Sequence, residues 1–281
     1  MPVQQFLRWA GSKRKLLPHI LPLLGLNDSG TYYEPFLGSG AVFFALEPSR
    51  AVLSDMNPDL IAGYLALQEY PDELIQRLSE HESFHNQNPK EYYYAIRSEG
   101  NIDPGKAWSK ASLLDKGSRF IYLNRATFNG LWRVNLKGEM NAPIGANSKK
   151  SRSIAFDFED LRHCSTALSV ADIRRCSYEE IFPMVQWHDR VYLDPPYVPI
   201  QQKTNFSGYC SSSFNFQDQL NLLKLCRQSS LSYSAIVLSN ANTDVTQELY
   251  SGLSVEFLEV SRSIAAKTGD RRIAKELIVS F

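Results

Sequence analysis

The residues Asp194-Pro195-Pro196-Tyr197 combine an acid, a stiff turn and an aromatic ring. They follow residues 191–193, which predict a buried strand, and open α/β sheets bind ligands beside the carboxyl ends of their strands. Because proline lacks an N–H donor, the Asp194 carboxylate and the Pro195 carbonyl form a pair of acceptors. An aromatic amine with two hydrogens fits that pair, and Tyr197 offers a surface for its ring. On these residues alone, an ordinary Asp-Pro turn after a strand stays an open alternative.

A second group of residues has the pattern of a nucleoside-binding loop. Gly38 and Gly40 lie at a predicted strand-to-helix turn, where missing side chains let a ligand approach the backbone. Asp55 ends the next predicted strand, where a carboxylate can accept hydrogen bonds from both ribose hydroxyls. The third glycine of a dinucleotide-binding loop is replaced by Phe43, and no G-x-x-x-x-G-K-[ST] loop for ATP is present. The pattern therefore favours an adenosine-containing cofactor that carries no phosphate.

S-adenosylmethionine is such a cofactor, and we predict it as the ligand. It carries a cationic sulfonium and an amino-acid tail, and the acid Glu34 beside the glycine loop suits a cation better than a phosphate. The basic turn at residues 8–13 is a third candidate for the site. Taken alone, that turn is more typical of an exposed segment before an amphipathic helix.

Strand and helix patterns alternate around these residues, which predicts a doubly wound α/β fold. Strands are predicted at 31–34, 51–54, 168–170, 191–193 and 235–239, with a closing antiparallel hairpin of 255–261 and 274–281 around the turn 267–270. Helices are predicted from Ala41 and Pro58, through 60–78, and at 92–97 and 113–124, and a hairpin is predicted around Lys137-Gly138. We therefore expect a core of residues 1–58 and 158–281, interrupted by a mainly helical insertion, residues 59–157, that carries the β-hairpin.

Composition narrows the class of protein. The chain of 281 residues has zero formal net charge, which argues against a generic nucleic-acid binder, but basic residues cluster at 8–15 and 119–152. No apolar run approaches the roughly 20 residues of a membrane span, and no signal peptide is recognised, so we expect a cytoplasmic protein without a membrane partner. The four cysteines are widely spaced, which predicts free thiols and no metal site. They are Cys164, Cys176, Cys210 and Cys226.

Together the motifs resemble a Dam-type N6-adenine DNA methyltransferase of the α-group, and the matches extend over nearly the whole sequence. They include Trp9-Ala10-Gly11 with Lys13, Glu34-Pro35-Phe36 with Gly38 and Gly40, Asp55, Asn124-Arg125, Phe128-Asn129-Gly130-Leu131, Arg133, Asn135, Gly138-Glu139, Asn141, Pro143 and the DPPY motif at 194–197. Weaker matches follow at 205–206, 209, 213–214, 239–240 and 262–264.

The resemblance implies a Rossmann-like methyltransferase core, with the insertion as its target-recognition domain for double-stranded DNA. On this basis the catalytic residues are Asp194, Pro195, Pro196 and Tyr197. The residues assigned to the cofactor are Trp9, Lys13, Glu34, Phe36, Gly38, Gly40, Asp55 and Asp194. The residues assigned to DNA are Arg8, Arg125, Phe128, Asn129, Leu131, Arg133, Asn135 and Pro143.

The resemblance also implies roles for some of these DNA-binding residues. Phe128 and Asn129 fall where the family wedges into the duplex and helps to extrude the target base. Leu131, Arg133 and Pro143 fall where the family reads the half of a GATC site outside the adenine. Arg8 corresponds to a basic residue that contacts the first guanine. We also expect a monomer, for which a cognate restriction endonuclease is a candidate partner.

Three departures from the family pattern are visible. Ser12 replaces a glycine before the early lysine, Phe128 stands where tyrosine is common, and Trp132 replaces a smaller residue. Phe128 keeps a stacking face, so intercalation should survive. Trp132 lies next to Arg133 in the DNA-reading loop.

Several other activities use similar motifs. C5-cytosine methylation is disfavoured because no cysteine follows a proline. N4-cytosine methylation uses the same amine chemistry and stays open, as does a DNA-binding homologue that has lost catalysis. Methylation of RNA or of a protein glutamine is opposed by the long insertion.

Overall fold

The computed structural model describes residues 3–9, 11–25, 30–99, 108–135, 137–145, 154–197, 214–230, 235–261 and 273–281. The strands are β1 Tyr32–Glu34, β2 Ala51–Ser54, β3 Ala171–Arg174, β4 Arg190–Leu193, β5 Ala235–Ala241, β6 Ser254–Ser261 and β7 Ile273–Ser280. The α-helices are α1 Leu17–Leu24, α2 Ala41–Leu46, α3 Pro58–Glu69, α4 Pro71–Gln87, α5 Pro89–Ser98, α6 Lys110–Ala126, α7 Phe158–Leu168, α8 Tyr178–Ile181, α9 Phe216–Ser230 and α10 Asp244–Leu249.

The fold is α/β, with a seven-stranded mixed sheet of order β3-β2-β1-β4-β5-β7-β6. Strand β1 pairs in parallel with both β2 and β4, and β4 pairs in parallel with β5. The closing hairpin is antiparallel, and β7 inserts between β5 and β6. After β1 the chain adds β2 and β3 on one side of β1, and it then adds β4 and β5 on the other side. The boundary between β1 and β4 is therefore a topological switch point, where such sheets bind ligands. Asp194 is the residue that follows β4.

Most of the strands and helices predicted from sequence are confirmed. The strands at 31–34, 51–54, 191–193 and 235–239 are present with small differences in their ends, and α2 and α3 begin at Ala41 and Pro58 as expected. Both strands of the closing hairpin are present, whereas the turn predicted at 267–270 lies outside the described residues.

Three local predictions need correction. The strand predicted at 168–170 is wrong, because Leu168 is the last buried residue of α7 and the strand β3 begins only at Ala171. The helical pattern of 60–78 is divided at Tyr70, since Pro71 begins a new helix. The hairpin near Lys137 is a turn with one isolated antiparallel bridge between Val134 and Met140 rather than a pair of strands.

The chain divides into two compact units. The first consists of Met1–Ser12, Gly38–Glu47 and Asp55–Arg175, and it includes the whole of residues 59–157. The second consists of Lys13–Leu37, Pro48–Ser54 and Cys176–Phe281. The boundaries of the predicted domains differ from those of these units, and the division into a core and an insertion at 59–157 stays a prediction.

Helices α3 and α6 form the centre of the first unit. The side chain of Asn57 caps α3 by accepting hydrogen bonds from the backbone N–H groups of Asp59 and Leu60, and Ser109 caps α6 in the same manner. The two helices approach closely at Gly117, where an added Cβ would lie 2.6 Å from Ala66 Cβ and 2.8 Å from the Ala62 carbonyl oxygen. A glycine is therefore required at this crossing.

The second unit is built on a core of aliphatic and aromatic side chains between the parallel strands and the helices α8 and α9. Its buried members include Val191 and Leu193 of β4, Ile236 and Leu238 of β5, and Leu222 of α9. Helix α1 packs against β4 and β5 through its buried apolar residues. These contacts fix the strands whose carboxyl ends carry the polar residues of interest.

Two features of the described residues concern membranes and metals. No helix among them is long and apolar enough to cross a bilayer. They hold no group of three or more His, Cys, Asp or Glu side chains arranged to bind a metal ion. Cys164 and Cys226 are buried free thiols and Cys176 is partly buried, whereas Cys210 lies outside the described part of the chain.

We predict that Gly117→Ala destabilises the protein. Alanine usually stabilises a helix by about 1 kcal/mol relative to glycine, so a net loss would report the clash with α3. We expect the free energy of unfolding, measured by urea denaturation, to fall by about 1–3 kcal/mol. Asp115→Ala, at an exposed site of the same helix, serves as the control and should change it by less than about 1 kcal/mol. A Gly117→Ala protein as stable as the wild type would contradict the close packing.

Candidate active site

Asp194 is held by two side chains that contact the same carboxylate oxygen. Lys13 Nζ lies 2.8 Å from Asp194 Oδ1, and the Lys13 side chain is only 6% exposed. Ser239 Oγ, on the neighbouring strand β5, donates a hydrogen bond of 3.2 Å to the same oxygen. Tyr192 Oη lies 2.7 Å from Ser239 Oγ, and since the proton of Ser239 is directed to the carboxylate, Tyr192 must be the donor of that bond. The carboxylate is thus fixed in one orientation.

The second carboxylate oxygen of Asp194, Oδ2, and the neighbouring Pro195 carbonyl indicate which ligand the site can bind. Among the described residues, none donates a hydrogen bond to Asp194 Oδ2 or to the carbonyl of Pro195. The Asp194 side chain is about one quarter exposed, at 24%. Two acceptors in adjacent residues therefore remain for a ligand that donates two hydrogens.

Burial raises the pKa of the Asp194 carboxyl above its ordinary value. The positive charge of Lys13, its hydrogen bond and the hydrogen bond from Ser239 act in the opposite direction, because each stabilises the ionised form. The carboxylate form is the one that accepts hydrogen bonds through both oxygens. Lys13 and Ser239 therefore favour the form of Asp194 that can bind an amine.

Tyr197 is fixed through its hydroxyl group. Its oxygen accepts a hydrogen bond of 2.9 Å from Lys13 Nζ, and its hydrogen is donated to Glu276 Oε2 on β7. Lys13 Nζ is 5.0 Å from the ring centroid, so the ammonium lies near the hydroxyl end rather than over the centre of the ring.

A buried polar cluster lies behind the two prolines. Gln219 of α9 donates to the carbonyl oxygen of Pro196 over 3.4 Å. Gln219 Oε1 in turn accepts hydrogen bonds from Asn240 and from the hydroxyl of Tyr250. All three polar side chains are at most 2% exposed, so the cluster is a fixed part of the core that supports the turn.

In the first unit, Asp55 organises the glycine loop. Its Oδ2 accepts from the N–H of Gly38 at 3.1 Å and its Oδ1 accepts from the N–H of Asn57 at 2.9 Å. Burial raises the pKa of Asp55, and these backbone hydrogen bonds oppose the rise. Each carboxylate oxygen has a second lone pair, so Asp55 can also accept from a diol.

Trp9 lies directly against this loop. A Cβ at Gly38, whose φ is +49°, would come within 2.9 Å of Trp9 Cδ1, so the contact requires glycine. Gly40 has φ +63° and is the N-cap residue of α2. The structure thus brings Trp9, Gly38 and Asp55 together.

Glu34 and Phe36 belong to the second unit. Glu34, the last residue of β1, is 2% exposed and accepts a hydrogen bond of 2.8 Å from Tyr32 Oη. Phe36 is half-buried and stacks on Tyr178 with their centroids 5.6 Å apart. Glu34 therefore contacts a buried tyrosine of its own strand.

The residues predicted to bind DNA lie in the first unit, and Asn124 organises several of them. Its side chain accepts from the backbone N–H of Arg8 at 2.9 Å and donates to the Arg8 carbonyl at 2.7 Å and to the Gly130 carbonyl at 3.2 Å. A Cβ at Gly130, whose φ is +68°, would lie 2.3 Å from Arg8 Cβ. The Arg8 backbone and the short 3-10 turn Phe128–Gly130 are thereby held together.

Arg133 is exposed, and its guanidinium is oriented by Asn141 across the turn. Arg133 Nε donates to Asn141 Oδ1 at 2.7 Å, and a terminal nitrogen donates to the Asn141 carbonyl at 3.2 Å. The next carbonyl, that of Ala142, accepts from Tyr93 at 2.9 Å and from Arg97 at 3.1 Å, both on α5. The base of the turn is thus anchored to a helix.

The other DNA-binding candidates differ in exposure. Phe128 is 38% exposed and Pro143 is exposed, whereas Leu131 is half-buried. Arg125 donates from two nitrogens to the Ala155 carbonyl, at 2.9 and 2.6 Å, which orients its guanidinium. Asn135 accepts from the N–H groups of Lys137 and Glu139 and closes the turn. The backbone of Asn129 lies in the 3-10 turn.

Sequence reasoning did not assign roles to Ser239, Glu276, Asn124 or Asn141, although three of them lay in matched stretches. Ser239 and Asn124 are buried polar residues in apolar strand and helix patterns, and an unexplained polar residue of this kind can signal a hydrogen-bond network. Glu276 has no such local signal, because it directly follows another charged residue, Lys275, near the start of β7.

The fold is α/β, with the acceptors of Asp194 and Pro195 after β4 and the Asp55 carboxyl group in a glycine loop. The sequence profile described as D12 class N6 adenine-specific DNA methyltransferase matches residues 9–264. The chain belongs to this family and is an adenine-specific DNA methyltransferase.

Relatives of known name agree with this assignment. The chain is 35% identical to the Type II methyltransferase M1.LlaDCHI of Lactococcus lactis subsp. cremoris, covering 99% of this chain and 95% of the relative. It is 33% identical to the DNA adenine methylase of Haemophilus influenzae, covering 98% and 93%. The DNA adenine methylase of Escherichia coli K12 is also 33% identical, covering 98% and 94%.

We predict that Ser239→Ala shifts the pH dependence of methyl transfer. The Ser239 hydroxyl lowers the pKa of Asp194, so its removal leaves a carboxyl with a higher pKa. If the reaction requires ionised Asp194, the acid limb of the single-turnover rate against pH moves to higher pH, while the rate on the alkaline side falls less. Ser254→Ala, at an exposed position of β6, is the control. An unchanged acid limb in Ser239→Ala would contradict the assigned hydrogen bond.

Proposed function

We propose that the enzyme transfers the methyl group of S-adenosylmethionine to N6 of an adenine flipped out of duplex DNA, within GATC. The observation that carries the proposal is the pair of acceptors at Asp194 Oδ2 and the Pro195 carbonyl, beside a fixed tyrosine ring. The N6 amine of adenine has two hydrogens and belongs to a flat aromatic ring, so it matches both features.

The described residues fit the proposed cofactor. S-adenosylmethionine supplies a methyl group already activated by the positive charge of its sulfonium. Asp55 has lone pairs left for ribose hydroxyls, and Gly38 leaves room beside Trp9. The cofactor residues of the proposal are Trp9, Lys13, Glu34, Phe36, Gly38, Gly40, Asp55 and Asp194. We place them in a Rossmann-like core of residues 1–58 and 158–281.

Asp194 and Pro195 make the amine reactive. The N6 lone pair is delocalised into the adenine ring, so the free amine is a poor nucleophile. When Asp194 Oδ2 and the Pro195 carbonyl each accept an N6 hydrogen, the nitrogen moves toward tetrahedral geometry and its lone pair becomes localised. One proton must leave N6 as the new N–C bond forms, and the Asp194 carboxylate is in place to accept it.

Tyr197 supplies the stacking surface in this proposal. Its hydroxyl is fixed at both sides, by Lys13 and by Glu276, so the orientation of the ring is set before a base arrives. A fixed ring loses little rotational freedom on binding, which favours precise alignment of the amine with the methyl group.

The inserted domain, residues 59–157, is proposed to recognise the target. Phe128 is exposed at the 3-10 turn and, with Asn129, can fill the gap that a flipped base leaves in the duplex. Arg133, oriented by Asn141, can contact a guanine edge, and Arg8, Arg125, Leu131, Asn135 and Pro143 complete the DNA-binding set. GATC is the site that these positions read in Dam-type enzymes.

Other parts of the proposal concern the biological setting. The Type II methyltransferases among the relatives support a cognate restriction endonuclease as a partner. We propose that the enzyme acts as a monomer in the cytoplasm, where its DNA substrate is found. The adenine-specific family argues against N4-cytosine methylation, and the ion pair of Lys13 with Asp194 argues against loss of catalysis.

We predict that Asp194→Ala lowers the single-turnover rate of methyl transfer by at least about a hundredfold, because it removes an acceptor that acts on the reacting amine. The assay uses labelled S-adenosylmethionine and a GATC duplex. Asp244→Ala, an exposed acid at the start of α10, is the control and should keep the wild-type rate. A near wild-type rate for Asp194→Ala would refute the proposed role.

Arg133→Ala should relax recognition of the outer half of the site. With wild-type enzyme, kcat/KM is compared for GATC and for a duplex in which the final C·G pair is replaced by T·A. We expect Arg133→Ala to lose about 1–3 kcal/mol of this discrimination. Lys137→Ala removes one positive charge from the same turn and should weaken binding to both duplexes equally. If Arg133→Ala instead lowers kcat/KM by the same factor on both duplexes, as Lys137→Ala is expected to do, Arg133 contacts only phosphate.

A further inference from the structure

Glu276 is a buried acid that directly contacts the DPPY motif. It lies on β7, is 6% exposed, and its Oε2 accepts the hydroxyl hydrogen of Tyr197. A buried carboxylate is destabilising unless hydrogen bonds or an opposite charge offset the loss of its hydration. Its position is not part of the motif itself, which is about eighty residues earlier in the chain.

The strand register explains why Glu276 reaches the motif. Glu276 pairs with Ala241 of the neighbouring strand β5, and paired residues on adjacent strands point to the same face of the sheet. Ser239 lies two residues before Ala241, so it shares that face. The strands β5 and β7 therefore each contribute one polar side chain to the face on which Asp194 and Tyr197 are held.

We propose that Glu276 is a positioning residue for methyl transfer, which acts through Tyr197 and Lys13 on Asp194. This inference rests on the proposed catalytic role of Asp194. The contacts form one chain in space: Glu276 to the Tyr197 hydroxyl, that hydroxyl to Lys13, and Lys13 to Asp194 Oδ1.

Glu276 sets the orientation of the Tyr197 hydroxyl hydrogen. A carboxylate can only accept, so the single hydroxyl hydrogen of Tyr197 is directed to Glu276. The lone pairs of the hydroxyl oxygen are then turned toward Lys13, which donates to it over 2.9 Å. Lys13 is thereby held at Oδ1 of Asp194, at 2.8 Å, and Oδ2 is left for the amine.

Electrostatic attraction favours the same position of Lys13. Lys13 is the cation between two carboxylates, Asp194 on one side and the Tyr197–Glu276 pair on the other. Without the charge of Glu276, the Lys13 ammonium is attracted less strongly to the Tyr197 hydroxyl and can move to bridge both oxygens of Asp194. The amine would then lose its acceptor, although the cofactor residues of the first unit would be unaffected.

The first test is a double-mutant cycle with single-turnover methyl transfer on a GATC duplex. Glu276→Ala and Tyr197→Phe should each lower the rate about tenfold or more. Each removes the hydrogen bond between Tyr197 and Glu276, and a hydrogen bond to a charged group is a strong one. The double variant should be no slower than Tyr197→Phe, since both substitutions break the same link. Independent losses that multiply in the double variant would overturn the inference.

A conservative variant separates positioning from simple support of the fold. The amide oxygen of Glu276→Gln can still accept the Tyr197 hydrogen, but the charge is lost. This variant should therefore be slower than the wild type and faster than Tyr197→Phe, and the comparison stands even if Glu276→Ala fails to fold. Glu259→Ala, an exposed acid of the same hairpin, should keep the wild-type rate. A folded Glu276→Gln that is as slow as Tyr197→Phe would contradict the proposed hydrogen bond.

A second readout needs neither cofactor nor DNA. In protein labelled with ¹³C at the lysine ε-carbon, the Lys13 signal is identified by its loss in Lys13→Arg. Glu276→Ala and Tyr197→Phe should both shift this signal, and Glu259→Ala should leave it in place. An unmoved Lys13 signal in Glu276→Ala would overturn the inference. If Asp194→Ala stays active while the Lys13 signal moves as expected, the proposed function fails and the contact chain stands.

Discussion

Two buried side chains set the orientation of the Asp194 carboxylate. Lys13 and Ser239 both bind Asp194 through Oδ1, which fixes the group and leaves Oδ2 for a ligand. The structure around it serves this constraint. Lys13 lies in the 3-10 turn before α1, and α1 is anchored by its packing on β4 and β5, the strands that carry Asp194 at the end of one and Ser239 within the other.

Buried polar side chains fix the position of neighbouring residues in both units. In the second unit, buried polar side chains set the directions of hydrogen bonds at a strand end. In the first unit, the buried amide of Asn124 joins the Arg8 backbone to the 3-10 turn of Phe128. In both units, a buried polar side chain holds residues that are more exposed.

Local pattern was sufficient for the parts of the site that lie next to strand ends. The buried runs before Asp55 and Asp194 identify β2 and β4, and the carboxyl ends of parallel strands are where such sheets bind ligands. The side chains of β5 and β7 that contact the motif could not be found in this way. Ser239 and Glu276 reach the motif only because β5 and β7 are neighbours in a particular register, and a single sequence does not specify that order. The strand predicted at 168–170 failed because Leu168 completes the buried face of α7, a tertiary feature that overrides local pattern.

The central claim is that Asp194 and the carbonyl of Pro195 bind the two hydrogens of the target amine. It is tested most directly by a crystal structure of the enzyme with a GATC duplex and sinefungin, a non-reactive analogue of S-adenosylmethionine. We predict that the adenine is extruded and that its N6 atom lies about 2.7–3.2 Å from both Asp194 Oδ2 and the Pro195 carbonyl oxygen. An extruded adenine whose N6 contacts neither atom, with Asp194 bound only to Lys13 and Ser239, would contradict the account.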